Sequence, residues 1–188
     1  MSKDDSVILI IGKMVLISVI AAALLSVTYG PTQAQLKINY DIAQKEALLE
    51  IVPEAVDFEN VYGDKVINEE GDLETLYYRG VDASGNTVGY AFFRDQVGSQ
   101  GMIQVAGGVD AQFTRITGIT IMKHSETPGL GALIVSPDFT SQFKDVEMNN
   151  LMLTSDGGKI NSITGATISS QAVIDALRGQ VDDLKKQV

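Results

Sequence analysis

From Val7 to Ile11 and from Met14 to Tyr29 the chain is almost wholly apolar, interrupted by Gly12 and Lys13. Together the two runs approach the ~20 residues that cross a bilayer as a helix. No other feature limits the fold as much, because a lone segment in hydrocarbon must satisfy its own backbone and therefore coils. Lys13 either snorkels to an interface or faces a partner helix. Positive charges do not orient the span, since Lys3 and Lys13 before it are matched by Lys37 and Lys45 after it. A cleaved signal peptide, with Thr32-Gln33-Ala34 as a small-x-small site, is the competing reading. The apolar stretch exceeds the usual ~7–15 residue core of such peptides and favours a retained anchor.

Gly30-Pro31 reads as the break that ends the span. The expected organisation is therefore a tail and transmembrane helix over residues 1–30, then one domain over 31–188, a length that suits a single core. Ala34 to Ile51 reads as a helix with Ile38, Ile42, Leu48, Leu49 and Ile51 as apolar contacts, bounded by Pro53. Strand-like runs come next at Leu73–Val81, Thr87–Phe93, Gly101–Val105 and Phe113–Met122. The first two flank Asp82-Ala83-Ser84-Gly85-Asn86, a good hairpin connection. In the last run Ile116, Ile119 and Ile121 alternate imperfectly. The sum is an α+β domain with a largely antiparallel sheet and flanking helices.

Near the C-terminus, Asn161-Ser162-Ile163-Thr164-Gly165-Ala166-Thr167-Ile168-Ser169-Ser170 gathers small and hydroxylated residues ahead of a helical pattern. In that pattern Val173, Ile174, Leu177, Val181 and Leu184 share one face. Ser169 or Ser170 is placed to cap the first turn, and Lys185 and Lys186 sit where cations suit the dipole. A helix entered through Gly-Ala-Thr offers unpaired amides and room for an anion, so it is a candidate phosphate seat. The residues alone also fit a capped helix that binds nothing.

A second cluster, Lys123 to Ala132, comes after a strand. Pro128-Gly129 demands a turn, and Gly131 lets a backbone or ligand come close. His124, the one histidine, fits a hydrogen-bonding loop residue better than a catalyst. Glu126 either caps a backbone amide or repels electrons from a bound carrier.

Composition narrows the chemistry. Zero cysteines exclude disulfides, thiolate-held iron–sulfur clusters and thioether-bound haem, and one histidine argues against bis-histidine haem or a histidine-rich zinc site. If the chain carries electrons, the carrier is organic. The net charge of −10 belongs wholly to the residues after 34, because Asp4 and Asp5 cancel Lys3 and Lys13. That surface argues against nucleic acid and against adhesion to anionic lipid, and it equally fits simple solubility. P-loop, Rossmann and nucleophile-elbow strings are absent. No carboxylates are spaced as an acid–base pair, so neither catalytic nor metal-binding residues are assigned and a secreted hydrolase has little support.

Thr164-Gly165-Ala166-Thr167 followed by Ile168-Ser169-Ser170 resembles the [S/T]-G-A-T-x-[S/T]-[S/T] signature of FMN-binding domains. These occur in the G subunit of the Rnf electron-transport complex and in the C subunit of the sodium-translocating NADH:quinone oxidoreductase. His124-Ser125-Glu126-Thr127-Pro128-Gly129-Leu130-Gly131 is similar to the H-x-E-T-P-G-L-G loop of the Rnf protein. Leu48-Leu49-Glu50-Ile51-Val52-Pro53 is similar to the segment after its span. The resemblance implies FMN held by a phosphoester bond to Thr167, with Ser162, Ile163, Thr164, Gly165, Ala166 and Ser169 around it. It places Glu126, Thr127, Pro128, Gly129, Leu130 and Gly131 beside the flavin ring.

It further implies an electron-relay subunit, anchored in the cell membrane by one span with its flavin domain outside the cytoplasm. Its complex would pass electrons between ferredoxin and NAD, coupled to export of sodium ions or protons. The implied partners are the other membrane and redox subunits, a flavin transferase and membrane lipid. Asn161 stands where the signature has aspartate, keeping the size and one carbonyl acceptor but losing the charge that the transferase is thought to read. Two rivals stay open. The Thr-Pro-Gly-Leu-Gly form and short length lean away from the quinone-reductase protein, and a non-redox, membrane-anchored binding module would be colourless.

Overall fold

The structure, a computed structural model, describes residues 3–67 and 73–188. Helix α1 runs Lys3–Ile51 and is long and apolar enough to cross a membrane. Pro31 lies inside it, so the break expected at Gly30-Pro31 does not occur and the separate helix from Ala34 is the end of α1. A proline removes one backbone hydrogen bond, which a long helix survives when the bonds on either side persist. Two compact units divide the chain, Met1–Ala43 and Gln44–Val188, with the border inside α1. In the first unit Leu16, Ile17, Leu24, Leu25 and Val27 are all more than half exposed. Two of its hydroxyls bond to the helix itself, Ser18 Oγ donating to Met14 O at 3.0 Å and Thr28 Oγ1 to Leu25 O at 3.0 Å. That spares the apolar run an unpaired polar group.

The second unit is built on a six-stranded antiparallel sheet whose spatial order is its sequence order. The strands are β1 (Asp57–Ile67), β2 (Leu73–Val81), β3 (Thr87–Val97), β4 (Met102–Asp110), β5 (Arg115–His124) and the short β6 (Val146–Glu147). The hairpin at Asp82–Asn86 is tied by Asp82 N donating to Asn86 O at 2.9 Å, with Gly85 at φ +82°. Strands β3 and β4 extend beyond the expected runs, and β1 and β6 were not signalled by their mixed polar sequences.

Both faces of the sheet are covered. On one side Ala47, Leu48, Ile51 and Val52 pack with Ala91 and Ala106, while Ile38, Ile42 and Leu49 are exposed and make no core. On the other, helix α3 (Thr167–Leu184) lays Val173, Ile174, Leu177, Val181 and Leu184 on Phe92, Val105 and Val109, every one fully buried. Close approach depends on Gly107, where a Cβ would overlap Leu177.

The uneven spacing of the isoleucines in β5 has a geometric cause. Gly108 pairs with Gly118 and Val109 with Ile116, so Thr117 is an extra residue on β5. Such a bulge resets the alternation, which brings Ile116 and Ile119 to the same core despite their odd separation.

Candidate functional site

One end of the sheet gathers three connections. There β3 turns into β4 through Gly98-Ser99-Gln100-Gly101, closed by Gly98 N donating to Gly101 O at 2.8 Å. Beside it β5 ends at His124, which pairs with Ile103, and the chain enters the loop 125–131. Helix α3 starts against both.

Glu126 joins all three. It is 5% exposed, the one charged side chain among the buried described residues. Its Oε2 accepts from Ser169 Oγ at 2.6 Å, and its Oε1 accepts from Gln100 N at 3.1 Å. Burial by itself would push this carboxyl up. The hydrogen bonds from Ser169 and from the amides of Gln100, Ser99 and Gly101 together outweigh it and hold the carboxyl below the ordinary range. Two glycines make room: a Cβ at Gly98 would overlap Glu126 Oε1, and one at Gly131 would come 2.5 Å from Oε2 and 2.9 Å from Ser169 Oγ. His124 Nδ1 accepts from Glu126 N at 3.3 Å, which makes the imidazole a hydrogen-bonding part of the loop.

The hydroxyl-rich run folds into a tight entry to α3. Ala166 N donates to Ile163 O at 2.9 Å, and Gly165 takes the left-handed conformation at φ +79°. Neither Ser169 nor Ser170 caps the helix, contrary to the expectation from sequence. The N-cap position is Ala166, without a side-chain cap, and both serines are buried inside the first turn. The helix begins three residues earlier than a Ser169 cap requires, which turns Ser169 inward to Glu126. Ser170 Oγ accepts from Ile163 N at 3.0 Å and donates to Ala166 O at 3.0 Å, so it staples the turn.

Thr167 is different. It is exposed, it is the first residue of α3, and its hydroxyl makes no hydrogen bond among the described residues. It lines an open groove of about 400 Å³ whose walls include Val97, Leu153, Ile168, Ala172 and Asp175. The first amides of α3 have no partners within the helix.

The remaining expected residues fall around it. Ser162 and Thr164 are exposed, Ile163 is half-buried and Ala166 is buried. Thr127, Pro128, Gly129 and Leu130 are exposed, whereas Glu126 and Gly131 lie beneath them, with Gly129 at φ +74°. A Cβ at Gly165 would lie 3.2 Å from Leu130 Cδ2, so the two loops touch. Asn161 is held by its backbone, its N donating to Gln142 Oε1 at 2.8 Å, and its residue is exposed. Sequence reasoning missed the Gly98–Gly101 turn, Ser170's role and Val97. A Gly-x-x-Gly string between two strands marks a tight turn, but nothing in it names Glu126 as the partner.

Known proteins share this arrangement of segments. The FMN-binding domain family matches residues 98–181, from the turn under Glu126 to the last half of α3. The chain is similar over its whole length to the G subunit of an ion-translocating oxidoreductase complex from Methanosarcina acetivorans. The identity is 54% over 187 residues, covering 100% of this chain and 99% of the relative. The G subunit of the Na+-translocating ferredoxin:NAD+ oxidoreductase complex from Acetobacterium woodii is 34% identical over 171 residues, 84% of this chain and 81% of that one. The fold is that of the C subunit of the Na+-translocating NADH-quinone reductase from Parabacteroides distasonis. The TM-score there is 0.61 at 20% identity, with 82% of this chain and 95% of that chain covered.

Proposed function

The chain belongs to the family of G subunits of ion-translocating oxidoreductase complexes, and we propose that it is an electron-relay subunit carrying FMN on Thr167. The observation that carries this reading is the contrast within one short run. Ser169 and Ser170 are buried and engaged, while the Thr167 hydroxyl stands free at the start of α3 and opens on a groove. FMN supplies one- and two-electron redox chemistry when bound. The residues present fit it: Thr167 Oγ1 is the ester oxygen, the first-turn amides favour a phosphate, and Gly165 removes a side chain beside it. Val97, Ile168 and Leu130 are exposed and give apolar surface for a ring.

In this reading α1 anchors the protein in the cell membrane, residues 1–30 forming the tail and span and residues 31–188 the flavin domain outside the cytoplasm. A tether matters there because a dissociated cofactor is not readily replaced. A flavin transferase modifies Thr167, lipid surrounds the span, and membrane and redox subunits deliver and remove the electron. The complex would pass electrons between ferredoxin and NAD, as the name of the Acetobacterium relative states for its own complex, with ion export coupled to that flow.

The test is direct. The full chain, produced in cells that contain a flavin transferase, is denatured, freed of small molecules and analysed by visible absorbance and peptide mass. A yellow protein with FMN on the Thr167 peptide is expected, and Thr167→Ala should be colourless. A wild-type Thr167 peptide without added mass, or flavin on another residue, overturns the assignment.

A further inference from the structure

Buried carboxylates are rare unless paired, because removing a charge from water is costly. Glu126 is such a group, and the donors that meet it are a neutral hydroxyl and backbone amides. None of those donors is a cation, so they stabilise the carboxylate and leave it its full negative charge. Its position is fixed from three directions by Ser169, the 98–101 turn and the close backbone of Gly131.

Its location relative to Thr167 is set by helix geometry. Ser169 is two residues after Thr167, about 3 Å further along the axis and about 200° round it, so Glu126 meets the inner side of the turn whose outer side carries the exposed Thr167. A ring tethered at Thr167 has two walls on which to rest. One is the groove edge at Val97, next in sequence to Gly98, which abuts Glu126 Oε1. The other is the loop through Leu130, next to Gly131, which abuts Oε2. Glu126 packs against the glycine next to each wall.

We propose that Glu126 is a positioning residue and a fixed negative charge that makes the flavin on Thr167 harder to reduce. The proposal rests on the flavin being attached there. Adding one electron, taken from a one-electron donor that is thereby oxidised, places one more negative charge near this carboxylate unless a proton arrives from solvent. The carboxylate raises the energy of that step without taking part in it, since a buried charge is less screened by water than an exposed one and repels a like charge placed near it. The same contacts align the Gly98 turn, the loop and α3 around the Thr167 hydroxyl.

Two substitutions separate charge from shape. Glu126→Gln keeps the length and loses the charge, whereas Glu126→Asp keeps the charge and shortens the reach. In full-length flavinylated protein in detergent, reduction by an electrode is monitored by absorbance, and peptide mass reports the flavin content. With Glu126→Gln, the midpoint should move to a more positive value, so that the reduced fraction at a fixed potential rises several-fold. Glu126→Asp should stay close to wild type while losing thermal stability. An unchanged midpoint in a fully flavinylated Gln variant, or equal shifts in both, overturns the proposal.

A second measurement needs no flavin. Carboxyl carbon NMR of unmodified full-length protein should show Glu126 ionised throughout the neutral range, and a protonated Glu126 at pH 7 overturns the proposal by itself. Absence of flavin from wild-type Thr167 is a distinct outcome, visible by mass, and refutes the attachment instead.

Discussion

Ser169 Oγ lies 2.6 Å from Glu126 Oε2, joining the first turn of α3 to the loop after β5 across 43 residues of sequence. The bond connects the two strings that stand out in the chain, and it runs beneath Thr167, leaving that hydroxyl exposed.

Removing the donor should weaken the clamp. A hydrogen bond to a charged group contributes about 1.5–3 kcal/mol, more when its loss leaves a buried acceptor short. Ser169→Ala is therefore expected to destabilise by about that amount. Thermal unfolding of the full chain in detergent should show a lower midpoint with the fold retained.

Gly131 has no space for a side chain. A Cβ there would meet Glu126 Oε2 at 2.5 Å and Ser169 Oγ at 2.9 Å. Overpacking of this kind costs about 1–3 kcal/mol. Gly131→Ala should lower the unfolding midpoint and slow flavin attachment at Thr167, measured by mass. An unaffected protein would show that the two loops are not held this closely.

Thr167 and Leu177 occupy the same helix with opposite consequences. Leu177 is fully buried over Gly107, so Leu177→Ala should cost about 2–5 kcal/mol. Thr167 is exposed, and Thr167→Ala should stay within about 0.5 kcal/mol of wild type while losing the flavin. Comparing unfolding midpoints of unmodified proteins with their flavin content separates the two roles.

Acid should loosen this end of the sheet. The Glu126 carboxyl is held below its ordinary value of 4.5 by Ser169 and three amides acting against burial. A carboxyl with a lowered folded pKa stabilises the fold fully above the unfolded value, and that contribution vanishes as pH falls through the folded one. Asp82 and Asp183, both lowered chiefly by side-chain hydrogen bonds, have the same sign. Stability should therefore fall as pH drops below about 4.5, and Glu126→Gln should flatten that fall. Unfolding midpoints measured across the acid range give the comparison.

Local patterns in the chain specified a good deal. The spacing of Val173, Ile174, Leu177, Val181 and Leu184 placed α3's buried face, because a helical period is visible wherever one side meets a core. The turn at Asp82–Asn86 and the apolar run of α1 were legible for the same reason, being properties of neighbouring residues. The two strings around Glu126 and Thr167 could be singled out, and their resemblance to FMN-binding domains named the cofactor.

Tertiary structure decided how those strings meet. Whether Ser169 caps its own helix or reaches Glu126 depends on where α3 begins relative to β5, a distance that no local pattern encodes. The bulge at Thr117 is set by pairing with β4, and the Gln100 amide that stabilises Glu126 comes from a turn 26 residues earlier in the chain. Periodicity and turn chemistry act over a few bonds and are written along the chain. The burial of one carboxylate, and the exposure of one hydroxyl beside it, arise only when the sheet brings distant segments to the same end.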